Sequence, residues 1–468
     1  MFQWRVLEGD YCGHLGLALA HPLYIAGGRT LALLSQDRLP LLLNCFSGLG
    51  AAVALANLAA VAALLTGKRW AGLLTAAMLA TAHTVWWLST AAEVYTWSLA
   101  GFTLEVWLLV KLLRQPGWGL LVWLGLVNGL GLCVHNFALL PLPVYVATAI
   151  VLIARRRLPA WSLAAAGGAW LAGAGLYIGM VVDLAASTGD WLGAVRSALT
   201  AGYGSKMLSV AASTAGLKEN LVLSGANFAG LLLPLAVVGW CRLAARLGRG
   251  QAVALGAVTA VHVLFFATYR VPDQFTFILP SLAMIALATT VGLSVLTDVS
   301  RGWRGGVVAA CLASLLWQPG AYWAGPHLAA SLGVKVIRQR QLPFRDEVRY
   351  WLTPWKHNER SAEQFCRAAF SQAGPNGVIL PDSTSRYPLL LYKRLVVPKT
   401  GVTVQTPAGP LPDWRTDPAG FREAVDGRPL YLVSRLPGYT PAELLANLEE
   451  PFKTSDQDAL YSARWKNP

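Results

Sequence analysis

The stretch "LLLNCFSGLGAAVALANLAAVAALLTGKR" occupies residues 41–69 and decides how the rest of the chain is read. From Leu41 to Thr66 it carries no charged side chain, and Lys68 and Arg69 end it. As a helix that run spans roughly 39 Å at 1.5 Å per residue, more than the ~30 Å hydrocarbon layer of a bilayer. It reads as a membrane span closed by a basic turn. Comparable runs follow at about 70–90, 94–113, 117–134, 138–154, 158–182, 221–241, 250–268, 275–296 and 305–324, making ten candidate spans. Composition agrees. The 468 residues are 55% hydrophobic and 13% charged, where a soluble domain carries roughly 25% charged residues. The mean hydropathy is +0.47.

The formal net charge of +14 is distributed rather than patched. Alternate connections receive Lys68 and Arg69, then Lys111 and Arg114, Arg155 to Arg157, Arg242, Arg246 and Arg249, and Arg301 and Arg304. By the positive-inside rule that side faces the cytoplasm. No continuous basic face or aromatic-interleaved basic motif is present, so nucleic acid is not an expected partner. The opposite side collects Glu93, His135 with Asn136, the loop of about 183–220, the break at 269–273 and everything after residue 325. Whether residues 15–34 form an eleventh crossing is open from charge alone, because either topology leaves Lys68 inside.

After residue 330 the composition becomes that of a small α/β domain. Ser361 to Gln364 and Thr440 to Glu443 read as capping boxes, and "GVILP" (377–381) and "PLYLV" (429–433) as buried strands. The expected fold is therefore a mainly α, polytopic membrane protein with about 10–11 transmembrane helices, the helical domain covering 41–325 and the α/β domain 330–468.

Ionisable groups near membrane depth are costly and each needs an account. Asp10, in "GDYCGHLGLALAHPLYIAGGRTLALL" (9–34), is either a helix-capping acid or a carboxylate serving as general base or cation ligand. His14 and His21 lie seven apart, too far to share one ion on a straight helix. Arg29, after Gly27 and Gly28, suits a lipid headgroup or phosphate as well as simple snorkelling. Glu93 opens a span where the helix dipole favours an anion. His135 and Asn136 break an apolar run and either cap the turn or face a ligand. Arg270 and Asp273 form a surface pair or an acid-oriented phosphate site. Asp382 closes the first predicted strand and is a further contact candidate. The six cysteines are scattered without a metal-ligand spacing, and no P-loop, H-E-x-x-H or G-x-S-x-G motif occurs. Glu8 and Asp10 interrupt the place where the apolar region of a signal peptide would lie.

"GD…G…AHPLYIAGGR", "LLLNCFSGLGAAVALANL", "TVWWLSTAAEVYTWSL", "GLCVHNFALLPLP" and "YRVPDQFTFILP", in this order, resemble a multi-span family of the GT-C glycosyltransferase superfamily. Its members include a eukaryotic protein O-mannosyltransferase and many bacterial proteins. The resemblance covers about 9–300 and extends to "ERSAEQFCRAAFSQAGPNGVILPDS" in the tail. It implies an inverting transferase using a polyprenyl-phosphate sugar, with a protein or glycan acceptor and its centre on the outer face. Residues 1–40 then form the first external loop with an amphipathic or re-entrant helix, in a bacterial inner membrane. Asp10 inherits the acid role. The substrate-binding candidates become His14, His21, Arg29, Glu93, Tyr95, His135, Asn136, Arg270 and Asp273. The family's G-D-S-G-E motif keeps Gly9 and Asp10 here, but Tyr11, Cys12, Gly13 and His14 follow, so the second carboxylate is missing. A divalent cation remains open, without an assigned ligand set. The family also has a span before this loop, longer than residues 1–8 supply. A flippase for lipid-linked sugars, which broken midplane helices and related halves would mark, and a non-catalytic scaffold acting through its tail are the alternatives.

Overall fold

The computed structural model describes residues 1–204, 214–228, 233–269, 271, 273–299, 301–333, 342–406, 409–436, 439–453, 455 and 458–466. Seven helices among them are long and apolar enough to cross a membrane: Leu39–Thr66, Tyr95–Arg114, Asn136–Ala154, Trp161–Thr188, Arg249–Thr268, Gln274–Asp298 and Arg304–Ser331. Trp118–Val134 and Pro234–Ala245 are shorter apolar helices.

Two expected spans are interrupted. The run at 70–90 folds as Arg69–Thr81 and His83–Ser89, bent by 74°. Ala82 between them is extended, and the Thr84 N–H donates to Asn227 Oδ1 at 2.8 Å instead of continuing the helix. The run at 221–241 is likewise not one helix. It is split between Thr214–Asn227 and Leu233–Leu247, with Pro234 in the first turn of the second, where its missing N–H costs nothing. Nor do residues 15–34 hold a helix long enough to cross a membrane. Their helix, Pro22–Ala32, has 11 residues, about 16 Å, and Leu33 and Leu34 beyond it are exposed.

Helix Gln274–Asp298 is the centre of the bundle, with 89% of its apolar window buried, against 22% for Trp161–Thr188 and 18% for Arg304–Ser331 at the periphery. Contact between Trp118–Val134 and Trp161–Thr188 is made by bare backbone. A Cβ on Gly125 would lie 2.4 Å from Ala166 O, one on Gly129 2.3 Å from Trp170 O, and one on Gly173 2.5 Å from Leu126 O. Small residues allow this close approach where lipid supplies no hydrophobic drive between helices. Gly129→Val is expected to destabilise the protein by about 2 kcal/mol through overpacking. Thermal unfolding in detergent measures it, and an unchanged midpoint would remove this reading of the helix pair.

The basic turns meet at one end. The Lys68 ammonium donates to Ser294 O at 3.2 Å and pairs with Asp298, and Arg304 Nε donates to Thr297 O at 2.9 Å.

In the tail, strands β1 (Val378–Leu380), β2 (Thr403–Val404), β3 (Leu430–Leu432) and β4 (Tyr461–Ala463) form one sheet in the order β2-β1-β3-β4. β1 is parallel to β2 and β3, and β4 is antiparallel to β3. Helices Ser361–Ala373 and Arg386–Leu395 contribute to one apolar cluster, and Pro418–Val425 to a second. Neither capping box forms. Ser361 is the first helical residue after Arg360, and Thr440 Oγ1 donates to Ser434 O before a helix of only Ala442–Ala446. Asp382, the contact candidate, is 3% exposed and accepts from Thr384 and Ser385 in the turn after β1. The tail is fastened to the bundle by aromatic contacts, Trp86 with Trp355 and Trp87 with Trp351, and by Thr90 Oγ1 donating to Pro354 O.

Candidate functional site

The loop 9–20 is wrapped around one side chain that sequence reading passed over. Arg5, on helix Phe2–Glu8, is 2% exposed. Its guanidinium donates to Asp10 O (3.2 Å), Leu19 O (3.0 Å), Tyr11 O (2.9 Å) and Ala20 O (2.6 Å). A planar five-donor fork can draw both ends of a loop to one point. The loop is also held from below: Leu17 N–H donates to Ser197 Oγ and the Tyr177 hydroxyl to Leu17 O. The available sequence signal was a cation within the apolar face that carries Phe2 and Val6.

Asp10 is thereby fixed and still accessible. Its Oδ1 accepts from the Gly13 N–H at 2.7 Å, its Oδ2 lies 3.6 Å from Arg5 Nε, and its side chain is 41% exposed. Gly9 beside it is left-handed, φ 68°, and a Cβ there would fall 1.9 Å from Arg29 Nη1. Arg29 therefore lies directly against the backbone that presents Asp10. It is exposed and makes no ion pair among the described residues.

A second group lies at the same end of the bundle. The chain reverses at Ala20–His21–Pro22 and at Val134–His135–Asn136, and the two imidazoles stack with centroids 5.0 Å apart and planes at 21°. His135 meets the Tyr95 ring at 5.3 Å, and the Tyr95 hydroxyl donates to Asp273 at 2.8 Å. Glu93 is placed by Ser47, whose hydroxyl bonds both its N–H and its carbonyl at 3.0 Å. The Glu93 carboxyl is partly exposed although deep among other atoms, and it makes no hydrogen bond among the described residues. Burial, reinforced by Asp273 and opposed by the amino terminus, pushes its pKa above the ordinary carboxylate range.

The structure thus gathers Asp10, His21, Arg29, Glu93, Tyr95, His135 and Asp273 at one end. His14 turns to the tail, with Nδ1 3.3 Å from the Tyr387 hydroxyl, and burial and Arg386 lower its pKa. Asn136 donates to Ala198 O at 2.7 Å and holds helix Trp191–Thr200 in place. Arg270 lies outside the described residues. A buried acid escaped notice as well: Glu105 is 1% exposed inside helix Tyr95–Arg114 and accepts from the Tyr145 hydroxyl at 3.0 Å. Among the described residues no three His, Cys, Asp or Glu side chains form a metal-binding cluster.

Helices of this length, a polar cluster at one end and a small α/β tail beside it define a polytopic membrane protein whose architecture is the GT-C fold. The structure of ArnT from Cupriavidus metallidurans bound to undecaprenyl phosphate superposes with a TM-score of 0.58 and 14% identity, covering 99% of this chain and 92% of that one. Residues 17–158 match the model of the family described as the Protein O-mannosyl-transferase TMEM260 N-terminal domain. That match takes in His21, Arg29, Glu93, Tyr95, His135 and Asn136 and begins after Asp10. No curated protein matches the sequence.

Proposed function

We propose that this protein is an inverting membrane glycosyltransferase that moves a sugar from a polyprenyl-phosphate donor to a protein or glycan acceptor outside the cytoplasm of a bacterial cell. The acceptor hydroxyl attacks the anomeric carbon, the bond from that carbon to the phosphate oxygen breaks, and the hydroxyl proton passes to the Asp10 carboxylate. The lipid phosphate leaves with its charge held by Arg29. Glu93, Tyr95 with Asp273, and His135 with His21 line the sugar pocket. Residues 1–40 form the first external loop and the tail from 330 stands on the same outer side, with His14 and Tyr387 at their junction.

One observation carries this reading. Asp10 is a half-exposed carboxylate locked by Arg5 and Gly13 at the end of the bundle where the other polar side chains meet. The match to a family model named for an O-mannosyltransferase, and the fold of an undecaprenyl-phosphate-bound structure, support this choice of reaction class. The test is sugar release from polyprenyl-phosphate hexoses by the purified full chain, given hydroxyl acceptors. Absence of turnover in folded protein across a broad donor panel would overturn it.

Arg29 supplies a separate check. Arg29→Gln should raise the donor KM about tenfold, the loss expected for one charge-assisted contact to phosphate, with little change in thermal stability. Gly9→Ala should do the same indirectly, because its methyl group displaces the Arg29 guanidinium; the left-handed backbone adds about 1 kcal/mol of strain. Unchanged donor KM in both variants would remove the phosphate role from Arg29.

A further inference from the structure

His21 and His135 are more than pocket lining. His21 is a non-glycine residue in the left-handed region, φ 53°, a conformation that persists only where its surroundings over-determine it. Its Nδ1 lies 2.8 Å from Val134 O, an oxygen left available by the helix break before His135. A carbonyl only accepts, so Nδ1 carries the proton and Nε2 presents a lone pair. His135 is fixed in the opposite sense. Its Nδ1 accepts the Phe137 N–H at 3.1 Å, so its Nε2 carries the proton.

Both rings are buried, 5% and 7% exposed, among Phe2, Tyr95 and Phe137, and the stack disfavours charge on either. Neither Nε2 has a partner among the described residues. Neither belongs to the sealed, unbonded atoms such as His83 Nε2 and His262 Nε2. The stack therefore offers one neutral acceptor and one neutral donor, beside the ring of Tyr95.

We infer that the His21–His135 stack is a specificity element that reads one hydroxyl of a neutral donor sugar, His135 Nε2–H donating to its oxygen and His21 Nε2 accepting its proton. A hydroxyl is the group that can serve both edges, accepting from one and donating to the other. An ammonium satisfies only the acceptor edge and a deoxy position neither. The inference rests on the glycosyltransferase reading for the identity of the ligand, and it concerns binding as well as turnover.

The test uses the full chain in detergent with a polyprenyl-phosphate hexose and its 2-, 3-, 4- and 6-deoxy analogues, reading donor binding by tryptophan fluorescence and transfer separately. Wild type should reject one analogue by about 100-fold or more, as sites built to bond a hydroxyl do. His135→Asn keeps an acceptor for the Phe137 N–H and lacks the Nε2–H; His21→Asn keeps a donor for Val134 O and tolerates the left-handed backbone. Each should lose most of the discrimination by weakening the parent sugar and leaving the rejected analogue nearly unchanged. Equal losses on every donor, or wild-type indifference to all deoxy positions, would overturn the inference. Selective binding without transfer would sustain it while the transferase reading fails. Absence of both binding and transfer would overturn both.

Discussion

Asp10→Asn should lower sugar transfer by about 10²- to 10⁴-fold, the range contributed by a positioned general base, while leaving donor binding and folding close to wild type. The substitution is nearly isosteric, and its amide oxygen can still accept the Gly13 N–H that Oδ1 accepts now. What it removes is the ability to take the acceptor's proton. The loop does not depend on the lost charge. Arg5 Nε stands 3.6 Å from Oδ2, the carboxylate is 41% exposed, and such a pair contributes less than about 1 kcal/mol. Four carbonyl bonds hold the same guanidinium in either variant. Single-turnover kinetics at saturating donor isolate the chemical step. A rate within about threefold of wild type would take the base role from Asp10 and leave Glu93, whose carboxyl makes no hydrogen bond among the described residues, as the group to replace next.

Much of the bundle was legible because a membrane span is written in consecutive residues. Leu39–Thr66, Arg249–Thr268 and Gln274–Asp298 fall within a few residues of their expected limits. The bend at Ala82 was not legible, since it is made by Asn227, more than a hundred residues away, supplying the oxygen that Thr84 N–H bonds. The split between 227 and 233 is tied to the same asparagine, whose carbonyl accepts from Gln318. Local signals failed in the tail for a similar reason: Thr440 had a helix N-terminus to cap and bonded the Ser434 carbonyl instead. At the site, charge and polarity marked Glu93, His135 and Asp273 because each breaks an apolar run. Their common side showed as well, but the contacts between them did not: the stack of His21 on His135 and the bond from Tyr95 to Asp273 join residues far apart in the chain. Asn136 drew notice for its polarity and holds a backbone carbonyl at 198. Polarity at a helix end therefore marked residues that share one end of the bundle, and did not reveal which partner each one bonds there.

Arg5 is where the largest structural effect should appear, and its variants separate shape from charge. Arg5→Met fills similar space and removes every donor. Carbonyls of Asp10, Tyr11, Leu19 and Ala20 then lose their partner, and the bond to Ala20 is fully buried. Each buried orphan costs about 1–3 kcal/mol, so a loss of roughly 4 kcal/mol is expected even if the outer part of the loop finds water. Arg5→Lys keeps the charge and offers three donors from a single point, which cannot reach both strands of the loop as the guanidinium fork does. It should recover less than half of the lost stability. Because the loop carries Asp10 at one end and His21 at the other, both variants should lose transfer and donor discrimination together, unlike Asp10→Asn, which loses transfer alone. Proteolysis gives a direct readout: cleavage within residues 9–20 should become fast in Arg5→Met and remain slow in Asp10→Asn. Equal protection in the two would mean that the loop is held by Ser197 and Tyr177 without Arg5, and the central place given to its guanidinium would be lost.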